Sequence, residues 1–290
     1  MTEFRGAALS GRTLIIIASV LWSTSGVITK GIALDPLSIA FYRGLFAGLA
    51  LLPFIPRAAY VVKPAMIPLG LLFGVMTGSY IVAITLTTAA NAIFLQCTSV
   101  FWSVPLSAII LKERPDRRAL FAIGMSMIGC VIIVMFGRDG RPGENWGMAL
   151  GLFSGILYAI ATVGLRKFRA IDSAWLSAFN NLAGSVAIAV VALAAIGSIA
   201  IPTGPQALVL FGFGVMQMAI PYMLFARGLR TVNAPEAGLL ALLEPVLNPI
   251  WVVLVHGERP ANLTIVGGLF LLAGVAIRYV PVRSFGRAES

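Results

Sequence analysis

A chain of 290 residues that is 59% hydrophobic and only 11% charged, with a mean hydropathy of +0.96, lies far from the roughly 25% charged residues of a soluble domain. These figures exclude an ordinary water-soluble enzyme and point into a membrane. The formal net charge of +10 would suggest nucleic acid in a soluble protein, but here the basic residues stand between apolar runs, where they set topology and meet anionic headgroups.

Apolar stretches of about 20 residues recur along the chain, each enough to cross the hydrocarbon core as a helix. They lack the alternation of barrel strands, so the expected class is an all-α membrane protein. Ten spans are expected, near 13–32, 36–56, 66–86, 91–111, 118–136, 146–165, 174–196, 206–226, 236–255 and 262–281. Connections are short and carry Gly, Pro or charge, as at Asp35-Pro36, Pro56-Arg57, Arg114-Pro115, Gly137–Gly143 and Pro202–Pro205. The first run follows Arg5 and Arg12 as a signal peptide would. It is as long as a full span and has no clear small-residue cleavage site, so it reads as a retained first helix. Cys97 and Cys130 fall inside spans and suggest no disulfide framework.

With the N-terminus placed inside, sixteen of the 21 basic residues fall in inner segments and four, Lys30, Arg138, Arg141 and Arg259, in outer ones; Arg43 lies within the second span. Such asymmetry in short loops favours both termini in the cytoplasm of a cytoplasmic (inner) membrane protein.

The ninth span, EAGLLALLEPVLNPIWVVLVHGERP at 236–260, has a faint echo 145 positions earlier, NAIFLQCTSVFWSVPLSAIILKERP at 91–115. Ala92 matches Ala237, Leu95 matches Leu240, and Glu113-Arg114-Pro115 matches Glu258-Arg259-Pro260. Leu21-Trp22 through Lys30 similarly aligns with Leu157-Tyr158 through Arg166, and Tyr42-Arg43 with Phe179-Asn180. Five spans per half is an odd number, so the second half must enter the membrane upside down. The expectation is two inverted five-helix repeats, residues 1–140 and 141–290, around a central cavity, as in secondary transporters.

Ionisable groups inside spans are costly and mark candidate sites. Arg43 has two readings: it snorkels to the nearer interface or pairs with backbone carbonyls, or it presents a fixed charge to the cavity and holds a carboxylate. Glu244 is either a protonated or hydrogen-bonded packing residue, or a proton carrier or ligand for an amine. Glu244, Asn248 and Trp251 share one helical face, and Pro245 and Pro249 each remove a backbone donor, which predicts a kink. In the first span Trp22, Gly26, Thr29 and Lys30 share a face; its small and hydroxyl residues fit close packing, with Trp22 the exception. Tyr80, Asn91, Gln96, Trp102, Tyr158, Asn180, Asn181, Gln217 and Tyr222 are further candidates to line the cavity, with Asn91, Thr98 and Trp102 on one face. Trp146 and Trp175, near span ends, suit interfacial anchoring instead. Gly124, Gly129, Gly267, Gly268 and Gly274 suggest close helix contact. The lone His256 is expected at the interface rather than on a metal. No phosphate-binding glycine loop is present, so no cofactor and no metal are expected.

These residues resemble the EamA-type branch of the drug/metabolite transporter superfamily. The resemblance rests on Leu243-Glu244-Pro245-Val246, Gly257-Glu258-Arg259, Gly267 through Gly274, Leu21-Trp22-Ser23 and Phe41-Tyr42-Arg43. The first-half copy departs from the pattern, with Ser99-Val100 where the second half has Glu244-Pro245. The resemblance implies ten helices, inverted repeats, and export or exchange of small organic solutes, bacterial amino-acid exporters being the nearest guess. The expected function is therefore a secondary transporter that exports neutral or aromatic amino acids by alternating access, not an enzyme. Its partners would be a small-molecule substrate, the lipid bilayer and a proton as candidate coupling ion, with no nucleic acid; a monomer and a homodimer both fit. The alternatives are export of another metabolite or drug class and, more remotely, a membrane-embedded enzyme or a passive channel.

Overall fold

The computed structural model describes residues 9–110, 117–165, 168, 170–232 and 234–279. The echo motif Glu113-Arg114-Pro115 lies outside them. Among the described residues the regular elements are all helices: α1 (Gly11–Trp22), α2 (Ser25–Gly31), α3 (Pro36–Leu51), α4 (Met66–Leu86), α5 (Ala89–Cys97), α6 (Ser99–Ile110), α7 (Arg117–Phe136), α8 (Glu144–Leu165), α9 (Ser173–Ile196), α10 (Gly204–Gly214), α11 (Ile220–Gly228), α12 (Ala234–Ala241), α13 (Leu243–His256) and α14 (Asn262–Tyr279). Among these residues, nine segments have the length and hydropathy to cross a membrane, and Asn262–Ile277 is a shorter apolar helix.

The turn residues read from sequence serve as caps. Asp35 accepts the Ser38 amide at 2.8 Å with Pro36 opening α3, and Thr88 accepts the Asn91 amide at 3.0 Å before α5. Asp172 takes the amides of Ala174 and Trp175, and Thr203 with Gln206 forms a capping box before α10. Gly257 ends α13 at φ +67, a left-handed position that favours glycine.

Three expected spans are broken near their middles. α1 gives way to α2 at Ser23-Thr24, α5 to α6 at Thr98, and α12 to α13 at Leu242. Each break is a tight turn: the amides of Thr24, Thr98 and Leu242 bond carbonyls three residues back, on Leu21, Leu95 and Leu239. Hydroxyls compete for the same backbone, since Ser23, Thr24 and Thr98 each donate to the carbonyl three residues back. At Leu242 the following Pro245 has no amide to offer Ala241, so the expected kink of the ninth span is a full interruption. A fourth irregularity, the π-turn Val215–Ala219, joins α10 to α11 ahead of Pro221.

Packing follows the small residues. α4 crosses α9 so closely that a Cβ at Gly74 would lie 2.2 Å from the Gly184 carbonyl oxygen, and a Cβ at Gly129 on α7 would lie 2.4 Å from that of Gly267 on α14. Gly124 meets nothing within 4 Å, so it faces away from that contact, contrary to expectation. α3 packs on α9 and α10, α4 also on α8, α1 on α11, α8 on α5 and α6, and α13 on α2. Trp175 is not an interfacial anchor: its ring is buried, and its Nε1 donates to the Val61 carbonyl at 2.7 Å. Trp146 is 73% exposed, as an anchor would be.

Candidate functional site

The broken helices and the π-turn converge on one cavity of about 60 Å³, lined by Trp22, Arg43, Met76, Thr77, Tyr80, Gln96, Tyr158, Gln217, Met218, Tyr222 and Glu244. Eight of the fourteen candidates from sequence therefore meet here. The volume has room for a few waters and is well below the ~300 Å³ of a drug-sized site. A metabolite requires the walls to move.

Arg43 sits two turns into α3 and is 3% exposed. It does not snorkel. Its Nη1 donates to Gln217 Oε1 at 2.9 Å, its guanidinium carbon stands 5.4 Å from the Phe213 ring centroid, and its Nε has no hydrogen-bond partner. The π-turn presents Gln217, whose Nε2 also donates to the Trp22 carbonyl at 3.3 Å, tying α1 to the α10–α11 span. Trp22 packs against Tyr222 at 5.2 Å, edge to face, and against Phe225 at 5.3 Å. Glu244 opens α13 just past the break. Among the described residues it makes no salt bridge, although Arg43 lines the same hollow. A cation and a carboxylate left apart across one hollow, walled by aromatic rings, form an arrangement suited to a small dipolar ion.

Asn248 and Trp251 hold the wall behind the cavity. Asn248 Nδ2 donates to Ser25 Oγ at 2.7 Å and reaches Tyr80 Oη at 3.5 Å; Tyr80 Oη and Ser25 Oγ are 3.2 Å apart. Trp251 Nε1 donates to Ser23 Oγ at 2.9 Å. These bonds explain why hydroxyls crowd the break between α1 and α2: they receive α13. Gln96, which lines the cavity, donates to Ser154 Oγ at 2.6 Å.

The other four candidates lie elsewhere. Asn91 is fully engaged, donating to Thr87 Oγ1 and the Gly137 carbonyl and accepting from Thr264 Oγ1. Trp102 lines a separate hollow of about 220 Å³ with Ser126 and Cys130. Asn180 and Asn181 are buried on α9, and Asn181 Nδ2 bonds the Ser177 carbonyl. Met76, Thr77 and Met218 were not anticipated. Met76 stands four residues before Tyr80, and Met218 four before Tyr222, so helical spacing from the two tyrosines could have found both.

One end of the bundle is held by charge. Glu258 Oε2 receives Lys30 Nζ at 2.8 Å and Arg141 Nη1 at 2.6 Å, while Oε1 accepts the Ala89 amide at 2.9 Å. Arg141 also stands 3.5 Å from Asp139. Burial pushes the Glu258 carboxyl up, but the bonds from Lys30, the Ala89 amide and Arg141 outweigh it and hold the group below its usual range. His256 Nε2 donates to the Val27 carbonyl at 2.9 Å. Among the described residues no cluster of three or more His, Cys, Asp or Glu could hold a metal ion.

Comparison with known proteins agrees with this architecture. The sequence model of the EamA-like transporter family matches residues 9–135 and again 145–280. An uncharacterized transporter of Archaeoglobus fulgidus is 32% identical over 93% of this chain and 96% of its own length. The uncharacterized inner membrane transporter YicL of Salmonella typhimurium is 25% identical over 98% and 99%, and the pseudopaline exporter CntI of Pseudomonas aeruginosa 24% identical over 91% and 93%. A solved crystal structure at 19% identity shares the fold with a TM-score of 0.65, over 92% of this chain and 96% of that one. This polytopic helical membrane protein belongs to the EamA-like transporter family.

Proposed function

We propose that the chain is a secondary transporter that exports neutral, aromatic or otherwise bulky amino acids across the cytoplasmic membrane by alternating access. The single observation that carries the reading is Arg43 facing the same cavity as an unpaired Glu244, with Trp22, Tyr80, Tyr158 and Tyr222 around them. A zwitterion offers a carboxylate to Arg43 and an ammonium to Glu244, and each ring contact with the side chain contributes about 1 kcal/mol. Glu244 is also the group placed to carry a proton.

Alternation needs two halves that rock about a fixed site. The main helix contacts support such halves, residues 1–140 and 141–290, because they keep their pattern when the halves are exchanged. The third span packs on the sixth as the eighth packs on the first; the third packs on the seventh as the eighth packs on the second. The fourth packs on the sixth as the ninth packs on the first, while second with seventh and fifth with tenth map onto themselves. The breaks at Thr98 and Leu242 also fall within one residue of corresponding positions. Five spans each would make the halves inverted, and the bias of basic residues favours both termini inside.

The test is counterflow of radiolabelled phenylalanine, leucine and glutamine by the purified protein in liposomes. Uptake above that of empty vesicles, lost in Arg43→Ala and Glu244→Gln, is the expected result; no movement of any amino acid ends the substrate assignment. The pseudopaline exporter among the relatives favours a second reading, export of a different organic metabolite at the same site. Counterflow of non-amino-acid metabolites distinguishes the two.

A further inference from the structure

We propose that Glu258 is the gate residue at its end of the bundle: its carboxylate latches three spans and a connection together and must release them before the central cavity opens on that side. Lys30 closes α2, Ala89 opens α5, Arg141 comes from the connection before α8, and Glu258 follows the end of α13. A single carboxylate is thus the hub for all of them. Asp139 on Arg141 adds the second acid, so two acids and two bases form a neutral quartet.

A brace within one half would be merely structural. This hub instead joins segments from both halves, and those are the contacts that alternating access must break. Below it, toward the cavity, α2 and α13 are tied by neutral hydrogen bonds only: His256 to the Val27 carbonyl and Asn248 to Ser25. Bonds to charged groups are about twice as strong as neutral ones, so the hub is the firmest tie in the row. Two cations share one oxygen, so one rotation of the Glu258 side chain frees both. The proposal rests on the alternating-access reading, and its test follows the opening without any substrate.

Thr29 supplies the reporter, since it is 1% exposed and one residue from Lys30, behind the latch. In a Cys97→Ser, Cys130→Ser background, Thr29→Cys is exposed to a membrane-impermeant maleimide. Adding Glu258→Gln is expected to raise the modification rate about 10-fold or more. Lys30→Gln alone raises it less, because Arg141 still holds the same oxygen. Ala18→Cys, fully buried on α1 toward the opposite end, is expected to keep its rate. If Glu258→Gln does not fold, Lys30→Gln with Arg141→Gln, which leaves the acid and removes both cations, must give the same rise. An unchanged Thr29→Cys rate in the folded variants, or equal acceleration at Ala18→Cys, overturns the proposal. A failure of amino-acid counterflow would touch the substrate assignment and leave this result standing.

Discussion

Replacing Arg43 with lysine separates charge from geometry at the proposed carboxylate site. The guanidinium spends Nη1 on Gln217 and lies against Phe213, while Nε is buried with no partner. A substrate carboxylate can therefore engage Nε together with a second nitrogen, the planar fork that lysine lacks. Lysine keeps the positive charge opposite Glu244 but forfeits one charged hydrogen bond, about 1.5–3 kcal/mol. At 1.4 kcal/mol per decade, the expected loss of substrate affinity is roughly 10- to 150-fold. Arg43→Ala removes the cation as well and should abolish transport. The assay is counterflow with varied external amino acid, read as KM and maximal rate, beside thermal unfolding in detergent. For Arg43→Lys the rise should fall on KM, with a melting temperature near that of the parent. A KM unchanged in both variants would refute the assignment of Arg43 to the carboxylate.

Other sites have distinct signatures. Asn91→Ala strips three hydrogen bonds, to Thr87, to the Gly137 carbonyl and from Thr264; it should lower stability by about 1–3 kcal/mol in denaturant titrations and leave the KM of the refolded protein unchanged. Gly74→Leu forces a side chain into the Gly184 backbone and should cost at least about 1–3 kcal/mol, whereas Gly124→Ala, in open space, should be near neutral in the same titration. The Glu258 carboxyl is held below its ordinary value of 4.5. The latch should therefore be fully charged above that value and weaken only as pH falls below it. Thr29→Cys labelling, divided by that of a freely exposed cysteine to remove the thiolate dependence of the maleimide reaction, should be flat from about pH 6 to 8 and quicken in acid.

The spans were legible because hydropathy is a local property: twenty apolar residues in a row carry their own evidence. Arg43 and Glu244 were legible for the converse reason, each a lone charge in such a run. The breaks at Ser23-Thr24 and Thr98 were not. A serine or threonine in a membrane helix can bond back to its own carbonyls or face a partner, and only the arriving Trp251 and Asn248 decide which. Gly124 and Gly129 look alike in sequence; they differ in which face of α7 they occupy. Trp175 was misjudged because its place near a span end says nothing of the Val61 carbonyl that awaits its ring nitrogen. Met76 and Met218 escaped notice because an apolar residue in an apolar span carries no mark of facing a cavity.

Polar residues in the middle of a membrane pose one question that sequence cannot answer: whether their bonding capacity is used up inside the protein. Asn91 uses both its amide nitrogen and its oxygen on neighbouring helices, so it has nothing left for a ligand. Asn180 keeps an unpartnered oxygen but does not line the central hollow. Arg43 keeps an unpartnered nitrogen and does line it, across from an acid that is also unpaired. In hydrocarbon an unmet donor costs several kcal/mol, so beside this hollow the missing bond falls to the few waters it can hold, until a ligand displaces them. Bonding capacity that the protein leaves unused beside a cavity, on a group as costly to bury as a guanidinium, is therefore open to a partner that comes and goes. Trp102 Nε1 and Ser126 Oγ are likewise unpartnered beside a separate hollow, but they are neutral; the charge on Arg43 is what suits it to a partner that carries negative charge.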